Sequence, residues 1–194
     1  MNGPGSNLVG GWHVMWGQPK GMDRLDVSLE GFWRSFGAVV FVVPSLVIAI
    51  LLQRSTLAGS GEPVAQLAPA DLSANAVGLL LDWITFPILF ALLAKPLGVA
   101  AGYVPFIVAR NWAAVSVAAI GTLLNAVGAL PFAPVALTSA LLVMALGLTL
   151  WFSYNVARTA LRAPIGLAIP IVVLDFLLSF TIWSLVAPLA QGAA

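Results

Sequence analysis

Asp82 and Asp175 are the residues of this 194-residue chain whose chemistry most needs an explanation. Each sits inside a long apolar run, Leu79-Leu-Leu-Asp-Trp83 and Val172-Val-Leu-Asp-Phe176. An ionisable side chain in such a setting is a functional candidate by default. A carboxyl group there can bind and release a proton or a cation. It can equally serve as an interhelical hydrogen-bond clamp that orients two helices. Asn125 is a third polar residue within an apolar run; counting about 1.5 Å per residue places it with Asp82 and Asp175 in one layer of the outer half, where it could bond to either acid. No Lys or Arg is expected at the same depth, so the two acids are expected to lack a cationic partner.

Other chemistry is scarce. The chain has no cysteine and one histidine, His13, in a Gly-rich N-terminal stretch. Disulfides, thiolate nucleophiles and the usual zinc, haem or iron–sulfur ligand sets therefore lack their residues. Neither a G-x-x-x-x-G-K-[ST] phosphate loop nor an H-E-x-x-H pair is present. Apart from the two Asp, no acid–base pair or nucleophile–His arrangement is visible. The expectation is a protein that is not an enzyme and carries no cofactor or metal.

Composition sets the solvent for these residues. The chain is 61% hydrophobic and 8% charged, with eight Lys/Arg against seven Asp/Glu and a formal net charge of +1. Soluble domains carry roughly a quarter charged residues. A water-facing surface, a disordered chain and a phosphate-binding surface are all excluded. An integral membrane protein is expected, with the bilayer as its first partner and no nucleic acid.

A spanning helix needs roughly 20 apolar residues. Five segments qualify: 36–52, 76–94, 112–130, 135–153 and 165–187. The third and fourth are separated by Pro131-Phe-Ala-Pro134, which reads as a tight hairpin between antiparallel helices. Pro44, Pro87 and Pro170 fall inside spans, as in the broken helices of transporters, although membrane helices tolerate proline generally. The fold expected is all-α: a bundle of five transmembrane helices over residues 36–190, preceded by an N-terminal segment over 1–35. The stretch Ser55–Asn75 reads as a flexible outer connector.

Orientation follows from the basic residues, which are enriched on the cytoplasmic side of bacterial membrane proteins. Five spans with the N-terminus inside place Lys20, Arg24, Arg34, Lys95, Arg110, Arg158 and Arg162 in the cytoplasm and only Arg54 outside. Treating Pro96–Ala109 as a sixth span would divide the eight evenly. The reading is therefore N-terminus in and C-terminus out, in a bacterial inner membrane. Pro96–Ala109 is then an interfacial or re-entrant segment. Trp33, Trp112, Trp151 and Tyr154 fall at the expected cytoplasmic helix ends and Trp183 toward the outer end, the level that amphipathic rings favour.

In the N-terminal segment Met22, Leu25, Leu29, Phe32, Trp33 and Phe36 recur at helical spacing. They describe an amphipathic helix lying at the membrane interface. Trp12 and Trp16 stand four residues apart and, with Trp33, could dock a partner or dip into the bilayer surface. On the third span Ala114, Ala118, Gly121, Asn125 and Gly128 form a stripe on which another helix could pack closely. That helix could belong to this bundle or to a partner.

Residues Val104-Pro-Phe-Ile-Val-Ala-Arg-Asn-Trp112 and Trp151-Phe-Ser-Tyr-Asn-Val-Ala-Arg-Thr-Ala-Leu161, together with the five-span topology, resemble Yip-type membrane proteins and uncharacterised bacterial inner-membrane proteins of that kind. The resemblance covers about Leu79 to Ala187. Eukaryotic Yip proteins are linked to small GTPases and membrane traffic, but no residue here carries that role over. The resemblance implies topology and no activity. The leading expectation is a non-catalytic accessory subunit or scaffold that associates with other membrane proteins or with itself. The alternative is a small proton- or cation-linked transporter, or a transport component, using Asp82 and Asp175.

Overall fold

A computed structural model describes residues 3–59 and 69–191, with side chains described over 3–55 and 72–188. Among these residues the chain is all-α. Five stretches are long and apolar enough to cross a membrane: Leu29–Ser55, Leu72–Ala94, Ala100–Gly128, Val135–Leu161 and Ile165–Pro188. Such helices satisfy their own backbone hydrogen bonds, as any chain within a hydrocarbon layer must. The architecture is compatible with a multi-pass membrane protein.

The helices in chain order are α1 (Pro4–Met15), α2 (Leu29–Phe36), α3 (Val39–Gly59), α4 (Pro69–Ala94), α5 (Tyr103–Gly128), α6 (Val135–Leu161) and α7 (Ile165–Gln191). Helix α5 is the hub, touching α1, α2, α3, α4 and α6, while α4 pairs with α7. α5 and α6 are antiparallel: Gly128 lies against Thr138 at one end and Gly102 against Leu161 at the other. Thr138 Oγ1 donates to the Gly128 carbonyl at 2.9 Å beside the expected Pro131–Pro134 hairpin. The helix α6 ends at Arg162, whose φ of 51° puts it in the left-handed region, and Pro164 follows, which cannot continue the helix.

Large aromatic and aliphatic side chains fill the centre, with Phe86, Phe90, Ile107 and Phe152 buried. Leu92, Val143, Phe180 and Leu185 are exposed around the outside. An apolar exterior of this kind suits lipid, which solvates it without penalty.

Two boundaries differ from the sequence reading. The third span does not begin at 112, and Pro96–Ala109 is not a separate interfacial or re-entrant segment. From Tyr103 onward it is the first part of α5, and only a turn over 95–99 and a short 3-10 helix at Ala100–Gly102 precede it. Pro105 falls in the first turn of α5, where its missing N–H costs no hydrogen bond. Trp112 consequently lies inside α5 and is buried, so it is not at a helix end. The expected Ser55–Asn75 connector is shorter as well, since α3 reaches Gly59 and α4 starts at Pro69. The rest of that connector, residues 60–68, lies outside the described residues.

The segment from Met22 to Phe36 is not one helix. A 3-10 helix over Pro19–Arg24 gives way to an extended link, and α2 begins after Ser28. Local hydrogen bonds cause the break. The Asp26 carboxylate accepts from the Ser28 hydroxyl at 2.6 Å and from its N–H at 3.2 Å. The Ser28 hydroxyl caps α2 by accepting from the Gly31 N–H at 3.0 Å. These bonds hold the Asp26 carboxyl below the usual carboxylate range. The apolar set also divides: Leu25 and Phe32 are buried, whereas Leu29 and Trp33 are exposed. Glu30 and Arg34 form an ion pair beside them.

Helix α1 is folded onto the bundle. A Cβ at Gly11 would stand 2.7 Å from the Ala113 backbone nitrogen, so only glycine permits this approach to α5. Asn155 Nδ2 on α6 donates to the Met15 carbonyl at 3.0 Å, and Asn7 Oδ1 accepts from the Asp26 N–H at 2.8 Å. Deeper along α5, Asn111 Nδ2 donates to Ser35 Oγ on α2 at 3.0 Å.

Candidate functional site

The acids on α4 and α7 come together because these helices run antiparallel in close contact. A Cβ at Gly78 would meet Trp183 and Val186 at 3.1 Å, so the glycine sets the spacing of the two helices. One turn further along each helix, the Ser179 hydroxyl donates to Asp82 Oδ1 at 2.5 Å. Asp82 and Phe86 share one face of α4, and Asp175 and Ser179 share one face of α7, each pair four residues apart.

Arg110 of α5 completes the group. Its Nη2 donates to Asp175 Oδ1 at 2.8 Å and its Nε to Asp175 Oδ2 at 3.4 Å, a side-on bidentate pair. The side chains are 13% and 18% exposed. The guanidinium carbon also lies 4.6 Å from the centre of the Phe86 ring, a cation–π arrangement. The expectation that no basic residue reaches Asp175 is therefore overturned. Arg110 is not a loop residue that ends a span. It lies two turns inside α5, about 10 Å from the helix start.

These three groups line one cavity of ≈ 250 Å³ between α3, α4, α5, α6 and α7. Trp83, Phe106 and Phe152 supply aromatic wall, and Thr149 and Ser153 of α6 add hydroxyls. Ala114 and Ala118 of the small-residue stripe face the same space. Trp83 is 5% exposed, and its indole N–H is buried without a hydrogen-bond acceptor among the described residues. With Asp82 and Asp175 ionised, the charges sum to −1. Among the described residues no group of three or more His, Cys, Asp or Glu is placed to hold a metal ion.

The remaining sequence candidates lie elsewhere. Asn125 does not line the cavity. It follows Arg110 on the same helix by about 22 Å of rise, and the expected layer of Asp82, Asn125 and Asp175 does not form. That helix starts at Tyr103, nine residues before the expected 112, which carries Asn125 close to its far end. Gly121 has open space around it, while Gly128 packs on Thr138, so the stripe has no single partner. Trp12 and Trp16 meet edge to face at 6.0 Å, and Trp16 leans on Phe152 at 4.9 Å. Trp33 packs edge-on against Phe32 at 5.1 Å.

Arg110 was the residue that sequence reasoning missed, and a signal for it existed. It has fourteen uncharged residues before it and 47 after it, an unlikely place for a loop charge. Two acids placed within apolar helices also call for a base at the same level. Comparison with family models, curated proteins and solved structures finds no match for this chain.

Proposed function

We propose that this chain is a small integral membrane protein of a bacterial inner membrane that binds a small solute inside its bundle and couples it to proton or cation movement. The observation carrying this reading is the trio Asp82, Arg110 and Asp175 around one cavity. Ionisable groups at that position are costly, and in membrane proteins they mark substrate and proton pathways. A clamp alone needs no empty space between its members. The alternating-access role follows the transporter logic of a site set between helices near the middle of the layer.

The orientation in this proposal is N-terminus inside. With Arg110 removed from the loop count, six basic residues remain at the α1 end: Lys20, Arg24, Arg34, Lys95, Arg158 and Arg162. Arg54 alone stands at the other. The Yip-type resemblance contributes topology only. No enzymatic role is proposed.

The scaffold reading keeps one supporting observation: Trp12 and Trp16 remain 42% and 45% exposed, so an aromatic face is free for a partner helix. Against it, the α1 backbone is already packed on α5 at Trp112 and Ala113, and Ala114 and Ala118 of the stripe face the cavity.

The test is proton movement in proteoliposomes loaded with a pH-sensitive dye, challenged with potassium, small amines and small carboxylates in turn. One class should change internal pH in wild type and fail to do so in Asp82→Asn. Silence with every class, together with a stoichiometric partner recovered in mild detergent, would favour the scaffold instead.

A further inference from the structure

The polar atoms around the cavity specify the kind of solute more closely than the transport reading on which this inference rests. Arg110 and Asp175 neutralise each other through the bidentate pair, so the charge left at the cavity is that of Asp82. One oxygen of Asp82 accepts from Ser179, and Oδ2 is the atom not engaged in that bond. Asp82 therefore brings to the cavity a negative charge and an oxygen outside the Ser179 bond. The Trp83 indole makes the opposite demand: it is a donor, 5% exposed and without an acceptor among the described residues. A buried polar group left in this way costs free energy until something pairs with it. The cavity walls of Trp83, Phe106 and Phe152 offer aromatic surface, which attracts organic cations.

We infer that the cavity between α4, α5 and α7 binds a small organic ammonium ion that also carries an acceptor oxygen. The ammonium is held by Asp82 against the aromatic wall, and the oxygen accepts from the Trp83 indole N–H. Arg110 stays paired with Asp175 and sets the local charge without contacting the ammonium. At ≈ 250 Å³ the space lies below the range of about 300–1,000 Å³ typical of drug-sized ligands, so the solute has only a few heavy atoms.

The experiment is calorimetric titration of the detergent-purified full chain with ethanolamine, ethylamine and acetate. Ethanolamine carries both groups, ethylamine the cation alone and acetate the opposite charge. Wild type should bind ethanolamine roughly 3- to 10-fold more tightly than ethylamine, the gain of one hydrogen bond, and acetate not at all. Trp83→Phe should bring the two amines to equal affinity by weakening only ethanolamine. Asp82→Asn should weaken both amines by about 30-fold or more, because the charged partner is lost. Acetate binding in place of the amines would overturn the assignment, and it needs no variant to fold. So would amine affinities unmoved by Asp82→Asn, or an ethanolamine preference unmoved by Trp83→Phe. The assignment and the transport reading fail separately. Carboxylate-driven proton movement in vesicles would defeat the first and keep the second; amine binding without flux would do the reverse.

Discussion

Around α1 and α2 the buried polar groups are neutral and meet in direct pairs, with Asn111 Oδ1 the one acceptor among the described residues here left without a partner. The amide of Asn155 meets the Met15 carbonyl, Asn7 meets the Asp26 N–H, and Asn111 meets Ser35. The partners are in direct hydrogen-bond contact, and Gly11 brings the α1 and α5 backbones together. Around the space between α4, α5 and α7 three charged groups stand among the hydroxyls of Thr149, Ser153 and Ser179, and together they surround a volume that the chain does not fill. The first arrangement is what a fold needs to dock a helix: each hydrogen bond satisfies a group that would otherwise be costly to bury. The second exceeds that need. Hydroxyls or amides would hold α4 to α7 at lower desolvation cost than ions, so charge beside empty space points to a ligand and not to packing.

The largest effect that could break this contrast belongs to Arg110. Arg110→Leu leaves Asp175 buried without its cation and should cost about 3–5 kcal/mol of stability, measured by unfolding in detergent. The double change Arg110→Leu with Asp175→Leu should recover most of it, since both charges then disappear together. A single substitution without effect would mean the pair is solvated like a surface ion pair, and the contrast would collapse.

Gly11→Leu comes next, at about 1–3 kcal/mol, because its side chain has to push α1 away from the α5 backbone. Hydrogen exchange over residues 4–16 should rise while ethanolamine binding stays unchanged, which sharpens the division between docking region and cavity. Asn155→Leu should cost about 1 kcal/mol through the unpaired Met15 carbonyl, again with no change in binding.

The smallest effect is a pH dependence at the start of α2. Because Asp26 is held below its ordinary value of 3.8 by bonds from Ser28, it stabilises the folded turn above that value. The contribution is lost as pH falls through the lowered value, where the carboxylate takes up a proton. Exchange of the α2 amides should rise on acidification from pH 5 to 3 (about the carboxylate range), and Ser28→Ala should remove most of the dependence.

Much of the architecture was legible because hydropathy and length report directly on spanning helices. Helices α6 and α7 begin at the expected Val135 and Ile165, and α5 ends just before Pro131–Pro134. The boundary errors share one cause. A charge in an apolar stretch reads as the end of a span, yet Arg110 sits inside α5 because Asp175 compensates it across the bundle. That compensation is a tertiary fact, 65 residues away in the chain, and no local pattern expresses it. The same error displaced Asn125 into the acids' layer and Trp112 to a helix end. Asp82 and Asp175 could be singled out from residue type and surroundings alone; their joint cavity could not, because it depends on which faces of α4 and α7 meet. The docking of α1 was also hidden, since glycines at 10 and 11 read as loop until Ala113 lies beside them.

The most direct test of the central claim, that the charged trio acts and does not merely hold the helices, measures stability and transport on one preparation of Asp82→Asn. Asparagine keeps a hydrogen bond to Ser179 but cannot exchange a proton or hold a cation. The account predicts unfolding close to wild type with solute-driven proton movement abolished. Proton movement equal to wild type in a stable Asp82→Asn protein would contradict it.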